Sequence, residues 1–197
     1  VGCGIGHVGI ELARRGCEIT GIDINLPFLR RARKDAERVG VAARFVKADM
    51  RSLPFGAEFE AVFSVGPTLG FFAKESDNAR VFSEIARVLR PGGLAVVDQW
   101  KKHGQRKKRS WDEKHPDGSV EKITAWEEGG RAHIVIEYRG KRAHINYRKY
   151  TAAELARHFK VAGLAVVGTH FLDYWKFLPV PMSEAFRIIV VAIKNQT

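Results

Sequence analysis

Cysteine is scarce in this chain of 197 residues, which contains two, Cys3 and Cys17. Two cysteines are too few for a disulfide framework or for a structural zinc site with four cysteine ligands. We therefore expect a reducing, intracellular setting, and we predict no metal site. Long hydrophobic runs are also missing, since the longest covers the six residues from Ile188 to Ile193. A membrane-spanning helix needs about 20 apolar residues, so the sequence predicts no membrane span and a cytoplasmic protein.

Acidic residues are outnumbered, because 22 Asp and Glu stand against 33 Lys and Arg, for a formal net charge of +11. A basic excess raises the affinity for polyanions without identifying one, so an RNA partner stays open. The chain also lacks an initiator methionine and a recognisable signal peptide. It opens at Val1 on a glycine cluster of a kind that normally follows a buried strand. We therefore expect the first strand of the fold to begin before Val1.

Up to Trp100, the hydrophobic pattern alternates between strands and helices. Alternation at this spacing predicts a parallel sheet with helices on both faces. The predicted strands are 17–24, 43–48, 59–65 and 94–98, and the predicted helices are 8–15, 27–39 and 78–89. Pro91-Gly92-Gly93 is expected to break the last of these helices.

The pattern changes after Trp100, where residues 101–114 are strongly basic and carry no strand signal. Three segments with period-two alternation follow, separated by glycines, which predicts an antiparallel meander. These segments are 120–127, 132–139 and 141–149. A helix at 151–161 should begin with a capping box formed by Thr151 and Glu154. Two further strands are predicted at 164–169 and 186–194.

The glycine cluster carries the first chemical signal. Gly2, Gly4 and Gly6 form a G-x-G-x-G pattern, and Gly4, Gly6 and Gly9 form the G-x-G-x-x-G dinucleotide fingerprint. Glycines at such a turn permit positive φ and let a ligand approach the backbone closely. Asp23 stands at the end of the next strand, where an acid hydrogen-bonds ribose hydroxyls. The pattern therefore predicts a cofactor that contains a nucleotide. By itself it is also compatible with an NAD(P)-dependent oxidoreductase or with a cofactor-binding protein that is not an enzyme.

Further segments extend this pattern over nearly the whole chain, which resembles the class I S-adenosylmethionine-dependent methyltransferases, specifically the small single-domain group that acts on small molecules. The most specific similarity is Arg87 to Leu94, where a helix end, a turn and the fifth strand recur in this family. The other similar segments are Val1 to Gly6, Ile22 to Asn25, and Ala48 to Pro54. The resemblance implies a Rossmann-like α/β fold with a seven-stranded, mostly parallel sheet. It also implies an antiparallel C-terminal hairpin and an antiparallel β insertion after the fifth strand.

The resemblance implies S-adenosylmethionine as the cofactor and S-adenosylhomocysteine as the product. Asp23 would hold the ribose, Asp49 would accept the adenine amino group, and Ser64 to Gly66 would border the transferable methyl group. The cofactor-binding residues implied in this way are Gly2, Cys3, Gly4, Gly6, Asp23, Ile24, Asn25, Asp49, Met50, Ser64, Val65 and Gly66.

The predicted activity is methyl transfer to an unidentified nucleophile on a small molecule. RNA or protein is the alternative substrate, because the basic tract 101–109 is flanked by tryptophans. Methyl transfer depends mainly on aligning the nucleophile and excluding water, and no motif marks a general base. The candidates for that role are His103, His170 and Tyr147. We expect one methyltransferase domain over residues 1–197, in which the insertion 100–149 covers the substrate.

Overall fold

The computed structural model describes residues 1–101, 107–173, 179–182 and 185–196. These residues form four helices and ten strands, and none of the described helices combines the length and apolar character needed to cross a bilayer. In chain order the elements are α1 (His7–Arg14), β1 (Ile19–Asp23), α2 (Leu26–Arg38), β2 (Ala43–Lys47), β3 (Phe59–Ser64), α3 (Glu75–Val88), β4 (Leu89–Trp100), β5 (Arg109–Lys114), β6 (Val120–Glu128), β7 (Arg131–Tyr138), β8 (Lys141–Arg148), α4 (Ala152–Val161), β9 (Leu164–Leu172) and β10 (Arg187–Lys194).

The α/β part is confirmed, but its strands do not form the single seven-stranded sheet that we expected. β1 pairs with β2 in parallel, and a separate four-stranded sheet has the order β3-β4-β10-β9. Residues 1–3 lie between the two sheets. The Cys3 amide donates to the Ile22 carbonyl at 2.8 Å, and the Val1 nitrogen donates to the Phe63 carbonyl at 2.6 Å. In the described residues these contacts bridge β1 and β3 without forming a further strand.

The main core lies where α3 and α4 pack on one face of the four-stranded sheet. Phe82 of α3 and Phe159 of α4 meet there edge to face, with ring centroids 5.4 Å apart. Both side chains are completely buried, as is Tyr150 just before α4. A smaller core forms under α2, where Leu29 packs near Phe45 of β2. Burial of these apolar side chains stabilises the strands. The carboxyl ends of the same strands carry the candidate site.

The turn Pro91-Gly92-Gly93 has the expected effect on the helix before it, since α3 ends at Val88. The chain then continues directly into β4, which we had expected to begin only at Leu94. The register shows how the turn fits, because Phe59 pairs with Leu89 whereas Ala61 pairs with Leu94. The extra residues bulge out of the ladder, and Gly92 supports the bulge with a φ of 76°.

The region between β4 and α4 contains a separate four-stranded antiparallel sheet in the order β5-β6-β7-β8, which we call the meander. Three of its strands match the predicted segments. The expectation that residues 101–114 hold no strand is wrong for Arg109–Lys114, which forms β5 and pairs with β6. β5 is an edge strand whose six residues are all exposed. Such a strand has no buried face and therefore shows no hydrophobic alternation.

The C-terminal part confirms the sequence expectations. The Thr151 hydroxyl accepts from the Glu154 amide at 3.1 Å, and the Glu154 carboxylate accepts from the Thr151 amide at 2.8 Å. These two bonds are the predicted capping box at the start of α4. β10 runs antiparallel to both β9 and β4. The antiparallel hairpin at the edge of the main sheet is therefore present.

Candidate functional site

The glycine loop before α1 contains three residues with positive φ that serve different purposes. Gly2, Gly4 and Gly6 have φ values of 60°, 54° and 82°. A Cβ on Gly2 would come within 2.1 Å of Thr68, and one on Gly6 within 2.9 Å of Ala32. A Cβ on Gly4 would meet nothing within 4 Å. Gly2 and Gly6 are therefore required for packing, whereas Gly4 turns the backbone beside open space.

Asp23, at the carboxyl end of β1, joins this loop to the next helix. One carboxylate oxygen accepts from the Gly4 amide at 2.8 Å, and the other accepts from the Asn25 amide at 2.9 Å. Asn25 in turn caps α2, since its side-chain oxygen accepts from the Phe28 amide at 3.2 Å. A carboxylate has about four lone-pair sites. The two backbone bonds therefore fix the Asp23 carboxylate and leave it acceptor capacity for a ligand.

Cys3 turns its side chain away from this edge. A Cβ on Gly21 of β1 would come within 3.0 Å of the Cys3 sulfur, so the thiol lies against the strand. Burial, with a smaller contribution from the charge of Asp23, raises the pKa of the Cys3 thiol to about 11. The thiol is therefore protonated at neutral pH, and the backbone of Cys3 is the part that can contact a ligand.

Two apolar residues of the predicted set are placed differently. Ile24 follows Asp23 and is 65% exposed, which leaves an apolar surface beside the carboxylate. Met50 follows Asp49 and is partly buried against the main core. An exposed isoleucine at the end of a buried strand is the kind of surface on which a purine ring can pack.

Asp49, after β2, has an unexpected partner. Its carboxylate accepts from Arg51 Nη2 at 2.7 Å and from Arg51 Nε at 3.1 Å. These side-chain hydrogen bonds hold the pKa of Asp49 below its usual value. Arg51 also lies over the Phe72 ring at 4.4 Å and donates to Asp77 at 3.2 Å. A ligand that bonds to Asp49 must therefore share the carboxylate with Arg51.

The residues at the end of β3 differ in burial, since Ser64 is buried and Val65 is exposed. Ser64 is 1% exposed and pairs in register with Val97, so its side chain faces the α3 core. Val65 is 38% exposed, and its carbonyl accepts from the Thr68 hydroxyl at 3.0 Å. Gly66 has a φ of 77°, and a Cβ there would meet nothing within 4 Å. Gly66 and Gly4 thus share the same combination of positive φ and open space.

Two of the three candidates for a general base, Tyr147 and His170, lie in different sheets. Tyr147 on β8 is 3% exposed, and its ring centroid lies 5.7 Å from that of Phe71, in the loop after β3. His170 lies on β9, and β9 is separated from β3 by β4 and β10. At a strand spacing of about 4.8 Å, His170 is about 14 Å across the sheet from β3. His103 lies outside the described residues.

Sequence reasoning missed the residues that join the meander to the loop after β3. Gly70 has a φ of 87°, and a Cβ there would come within 2.4 Å of the Arg148 carbonyl oxygen. The Gly70 carbonyl accepts from the Arg148 amide at 2.8 Å and from Arg131 at 3.2 Å. The only sequence signal was the glycine pair Gly66 and Gly70 around a short loop. The two glycines predict a turn, but they do not predict that the end of β8 packs against it.

A cleft of about 1140 Å³ opens between β1 and β3, and it reaches this edge at Gly2, Cys3 and Val65. The rest of its lining includes Ile19 to Ile22 of β1 and Phe59 to Phe63 of β3, and neither Asp23 nor Asp49 takes part. Most of the cleft thus follows the sides of the strands, whereas the carboxylates and the open glycines lie at the strand ends. Open α/β sheets bind ligands at the carboxyl ends of their strands.

The fold is that of an α/β protein whose strand ends carry two acidic side chains and two glycines beside open space. Residues 1–93 match the family model described as a methyltransferase domain. Two curated relatives are a sterol 24-C-methyltransferase (ERG6B) of Gibberella zeae, 36% identical over 104 residues, and a demethylmenaquinone methyltransferase of Thermus thermophilus, 39% identical over 98 residues. These matches cover 51% and 48% of this chain, and the chain spans 26% and 42% of the two relatives.

Solved structures extend the likeness to the whole chain. An S-adenosylmethionine-dependent methyltransferase from Clostridium acetobutylicum has a TM-score of 0.83 at 15% identity, over 98% of this chain and 82% of that one. CalS10, an amino pentose methyltransferase from Micromonospora echinaspora with bound S-adenosylmethionine, has a TM-score of 0.72 at 18% identity, over 98% and 81%. The chain therefore has the methyltransferase fold. Together with the family match, this supports the class I S-adenosylmethionine-dependent methyltransferase resemblance and gives no support to the oxidoreductase alternative.

Proposed function

We propose that this chain binds S-adenosylmethionine at the carboxyl edge of β1 to β3 and transfers its methyl group to a nucleophile on a small molecule. One observation carries the proposal. Gly4 has a positive φ beside open space, and its amide donates to Asp23 at 2.8 Å. The glycine turn that borders open space is thus tied to the carboxylate that is suited to ribose hydroxyls.

The residues at this edge fit the three parts of the cofactor. Asp23 offers acceptors for the two ribose hydroxyls, and Ile24 offers an apolar surface to the adenine. Asp49 can accept from the adenine amino group alongside Arg51. The amino-terminal end of α1, which follows Gly6, favours a negatively charged group such as the cofactor carboxylate. Gly66 adds no side chain of its own at the methyl end.

When bound, S-adenosylmethionine supplies a methyl group on a positively charged sulfonium. The protein residues would act by orientation, which can lower a barrier by about 7–11 kcal/mol. Val65 and Phe71 are both exposed, and in this proposal they border the methyl group. The buried ring of Tyr147 packs against Phe71. In this proposal the two aromatic rings shield the methyl end from solvent. The roles assigned to these residues are to exclude water and to align the nucleophile.

The substrate class is supported by the relatives and by the shape of the chain. The related proteins reported above carry names that refer to a sterol, demethylmenaquinone and an amino pentose, all of them small molecules. The alternative of an RNA substrate finds no support in these names. In this chain the meander docks against the loop after β3, which favours an enclosed substrate over an extended polymer.

Isothermal titration calorimetry tests the cofactor proposal directly. The intact chain should bind S-adenosylmethionine and S-adenosylhomocysteine, and NAD should give no heat. Asp23→Ala should lower the affinity for S-adenosylmethionine by about tenfold or more, because each charge-assisted bond contributes about 1.5–3 kcal/mol.

Asp35→Ala is the matched control, since this carboxylate lies on α2 and pairs with Arg31 away from the strand ends. It should leave the affinity unchanged. If a folded Asp23→Ala variant binds S-adenosylmethionine as tightly as the intact chain, Asp23 does not hold the ribose and the proposed edge is wrong.

A further inference from the structure

The strand register of the meander collects apolar side chains on one of its two faces. Residues that pair directly across neighbouring strands, or that lie two apart on one strand, share a face of the sheet. One row across all four strands is formed by Trp111, Ile123, Ile136 and Ala143. The neighbouring row on the same face is formed by Arg109, Ala125, Ile134 and Ile145. We call these two rows the apolar face.

The residues between these rows point to the other side of the sheet and have a different character. One row of that opposite face is entirely charged and is formed by Asp112, Lys122, Glu137 and Arg142. A sheet with isoleucines on one face and a charged row on the other normally packs its apolar face against something.

The apolar face is only partly covered. Trp111 is 43% exposed, and the four isoleucines are each partly exposed. In the described part of the chain, none of these five side chains belongs to either hydrophobic core. Removing apolar surface from water is favourable, so the face is suited to a further apolar partner.

The apolar face continues into the loop at the proposed methyl end. Tyr147 lies two residues from Ile145 on β8, so the two side chains share this face. The Tyr147 ring packs against Phe71, with ring centroids 5.7 Å apart, and Phe71 is itself 42% exposed. Apolar side chains therefore follow one another from the row of Trp111, through the row of Ile145, to Phe71.

The size of the apolar face decides which partner fits it. With strands about 4.8 Å apart and same-face residues about 6.8 Å apart, the two rows cover about 270 Å². A stable dimer buries about 800 Å² on each subunit, so the face is too small to hold two copies together. The next row outward contains Glu113, Glu121 and Lys141, whose mixed charges do not favour an anionic membrane. A single small apolar molecule matches the area.

We propose that the apolar face binds the hydrocarbon part of the methyl acceptor, such as a fused-ring or prenyl group. The nucleophilic atom of the acceptor then lies beyond Tyr147 and Phe71, at the methyl end. The identity of the ligand as an acceptor rests on the proposed function, whereas the binding of an apolar molecule to this face does not.

A fluorescence titration with N-phenyl-1-naphthylamine tests the face without cofactor or acceptor, because the emission of this uncharged aromatic probe rises in apolar surroundings. The double variant Ile123→Thr/Ile136→Thr should lower the probe affinity by about tenfold or more. Threonine removes apolar contacts and keeps the β-branched shape that strands favour. Trp111→Thr, on the exposed edge strand β5, should lower the affinity by about threefold or more.

Val120→Thr is the matched control, since Val120 is 45% exposed and lies on the opposite face of β6. It should leave the probe affinity unchanged. The face is not an apolar binding site if neither the double variant nor Trp111→Thr weakens binding, or if Val120→Thr weakens it equally. The proposal is also wrong if the double substitution dissociates a dimer in sedimentation equilibrium, or if it abolishes binding to phosphatidylglycerol vesicles.

Kinetics separates this inference from the proposed function. With apolar acceptors that the intact chain methylates, the double variant should raise KM by about tenfold and leave kcat and the affinity for S-adenosylmethionine nearly unchanged. An unchanged KM, or methylation restricted to acceptors without a hydrocarbon part, would overturn the inference and leave the proposed function standing. If the intact chain binds no S-adenosylmethionine, the proposed function is wrong, and the probe titration still decides whether the face binds apolar molecules.

Discussion

At the residue scale, the two acidic side chains of the candidate edge differ in how fully their oxygens are used. Asp23 accepts one backbone amide at each oxygen. Asp49 faces the guanidinium of Arg51, with bonds to both of its oxygens. Arg51 is held in turn by Phe72 and Asp77. Asp49 is therefore ionised and prepositioned, but it shares its charge with a fixed cation.

We predict that the affinity for S-adenosylmethionine falls in the order wild type, Asp49→Asn, Asp49→Ala. Asparagine keeps one acceptor oxygen for the adenine amino group, whereas alanine keeps none. Loss of one such bond should lower the affinity between about threefold and about tenfold in Asp49→Ala. Calorimetry on the three proteins measures the order.

Asp77→Asn is the control for this series, since it removes the other acidic partner of Arg51 and leaves Asp49 in place. It should bind the cofactor like the wild type. Equal affinities for all three Asp49 proteins would mean that apolar contacts, such as those offered by Ile24, hold the adenine without Asp49.

The residues of the edge that sequence could predict are those required by backbone conformation. Gly4 needs its positive φ, and Asp23 follows a strand, so both leave a pattern in the chain itself. Arg51 and Gly70 act through partners brought close by the fold, and no local pattern encodes those contacts. That Ser64 borders the methyl end stays a prediction, and no local pattern revealed that its side chain is buried.

At the element scale, the predictable pieces were those with one buried face. α3 shows helical periodicity in Val81, Phe82 and Ile85, all buried, and it was predicted apart from its first turn. That turn begins at Glu75, whose neighbours are polar and carry no apolar signal. β5 was missed because both of its faces are exposed. Among the described strands β5 pairs with β6, a contact that its own sequence does not reveal.

α4 contains a histidine whose burial makes stability depend on pH. His158 stacks on Phe82 with ring centroids 4.6 Å apart, and its Nε2 lies 3.1 Å from a Glu75 oxygen. Burial lowers the pKa of His158, and the nearby Arg148 and Arg157 lower it further, while Glu75 opposes them. The lowered pKa means that burial outweighs the attraction of Glu75.

We predict that the free energy of unfolding decreases on acidification through His158. The unfolded chain has a histidine pKa of about 6.5, above that of His158 in the folded chain. The unfolded state therefore binds more protons as the pH falls through this value, and stability is lost below it. Urea unfolding at about pH 7.5 and about pH 5.5 should show a smaller difference for His158→Gln than for the wild type.

His7→Gln serves as the control for this measurement, because His7 is exposed on α1. Its pH dependence should equal that of the wild type. If His158→Gln keeps the full wild-type difference between the two pH values, another group accounts for the acid sensitivity.

At the scale of the whole molecule, the meander is attached to the α/β part through a few specific contacts. Gly70 binds the backbone of Arg148, and Arg131 reaches the carbonyls of Gly70 and Phe72. Arg148 also pairs with Glu75 at 2.6 Å and with Glu154 at 2.7 Å. The meander is therefore fixed to the loop after β3, which is the proposed methyl end, and to the first turns of α3 and α4.

The proposed cofactor site and the proposed substrate cover lie in different parts of the chain. The proposed cofactor residues all precede Gly70, whereas the meander begins at Arg109 and, in the contacts given above, joins the loop after β3 and the first turns of α3 and α4. We therefore predict that replacing residues 102–147 with a Gly/Ser linker leaves the affinity for S-adenosylmethionine within a few fold. The same variant should lose methyl transfer, because the ring of Tyr147 and the cover over the methyl end are gone.

The linker variant keeps Trp100 in β4 and the ion pair between Arg148 and Glu75. The main sheet, α3 and α4 therefore retain their contacts. Gly70→Ala is a second variant that keeps every strand, since its Cβ would meet the Arg148 carbonyl oxygen at 2.4 Å and push the meander away. The intact chain is first tested with labelled S-adenosylmethionine on a library of small molecules, and both variants are then measured on the compounds that it methylates. Gly70→Ala should reduce the rate with these compounds and leave cofactor affinity within a few fold. If the linker variant methylates them at the wild-type rate, the meander is no cover, and the loops after Val65 and Phe171 must hold the substrate.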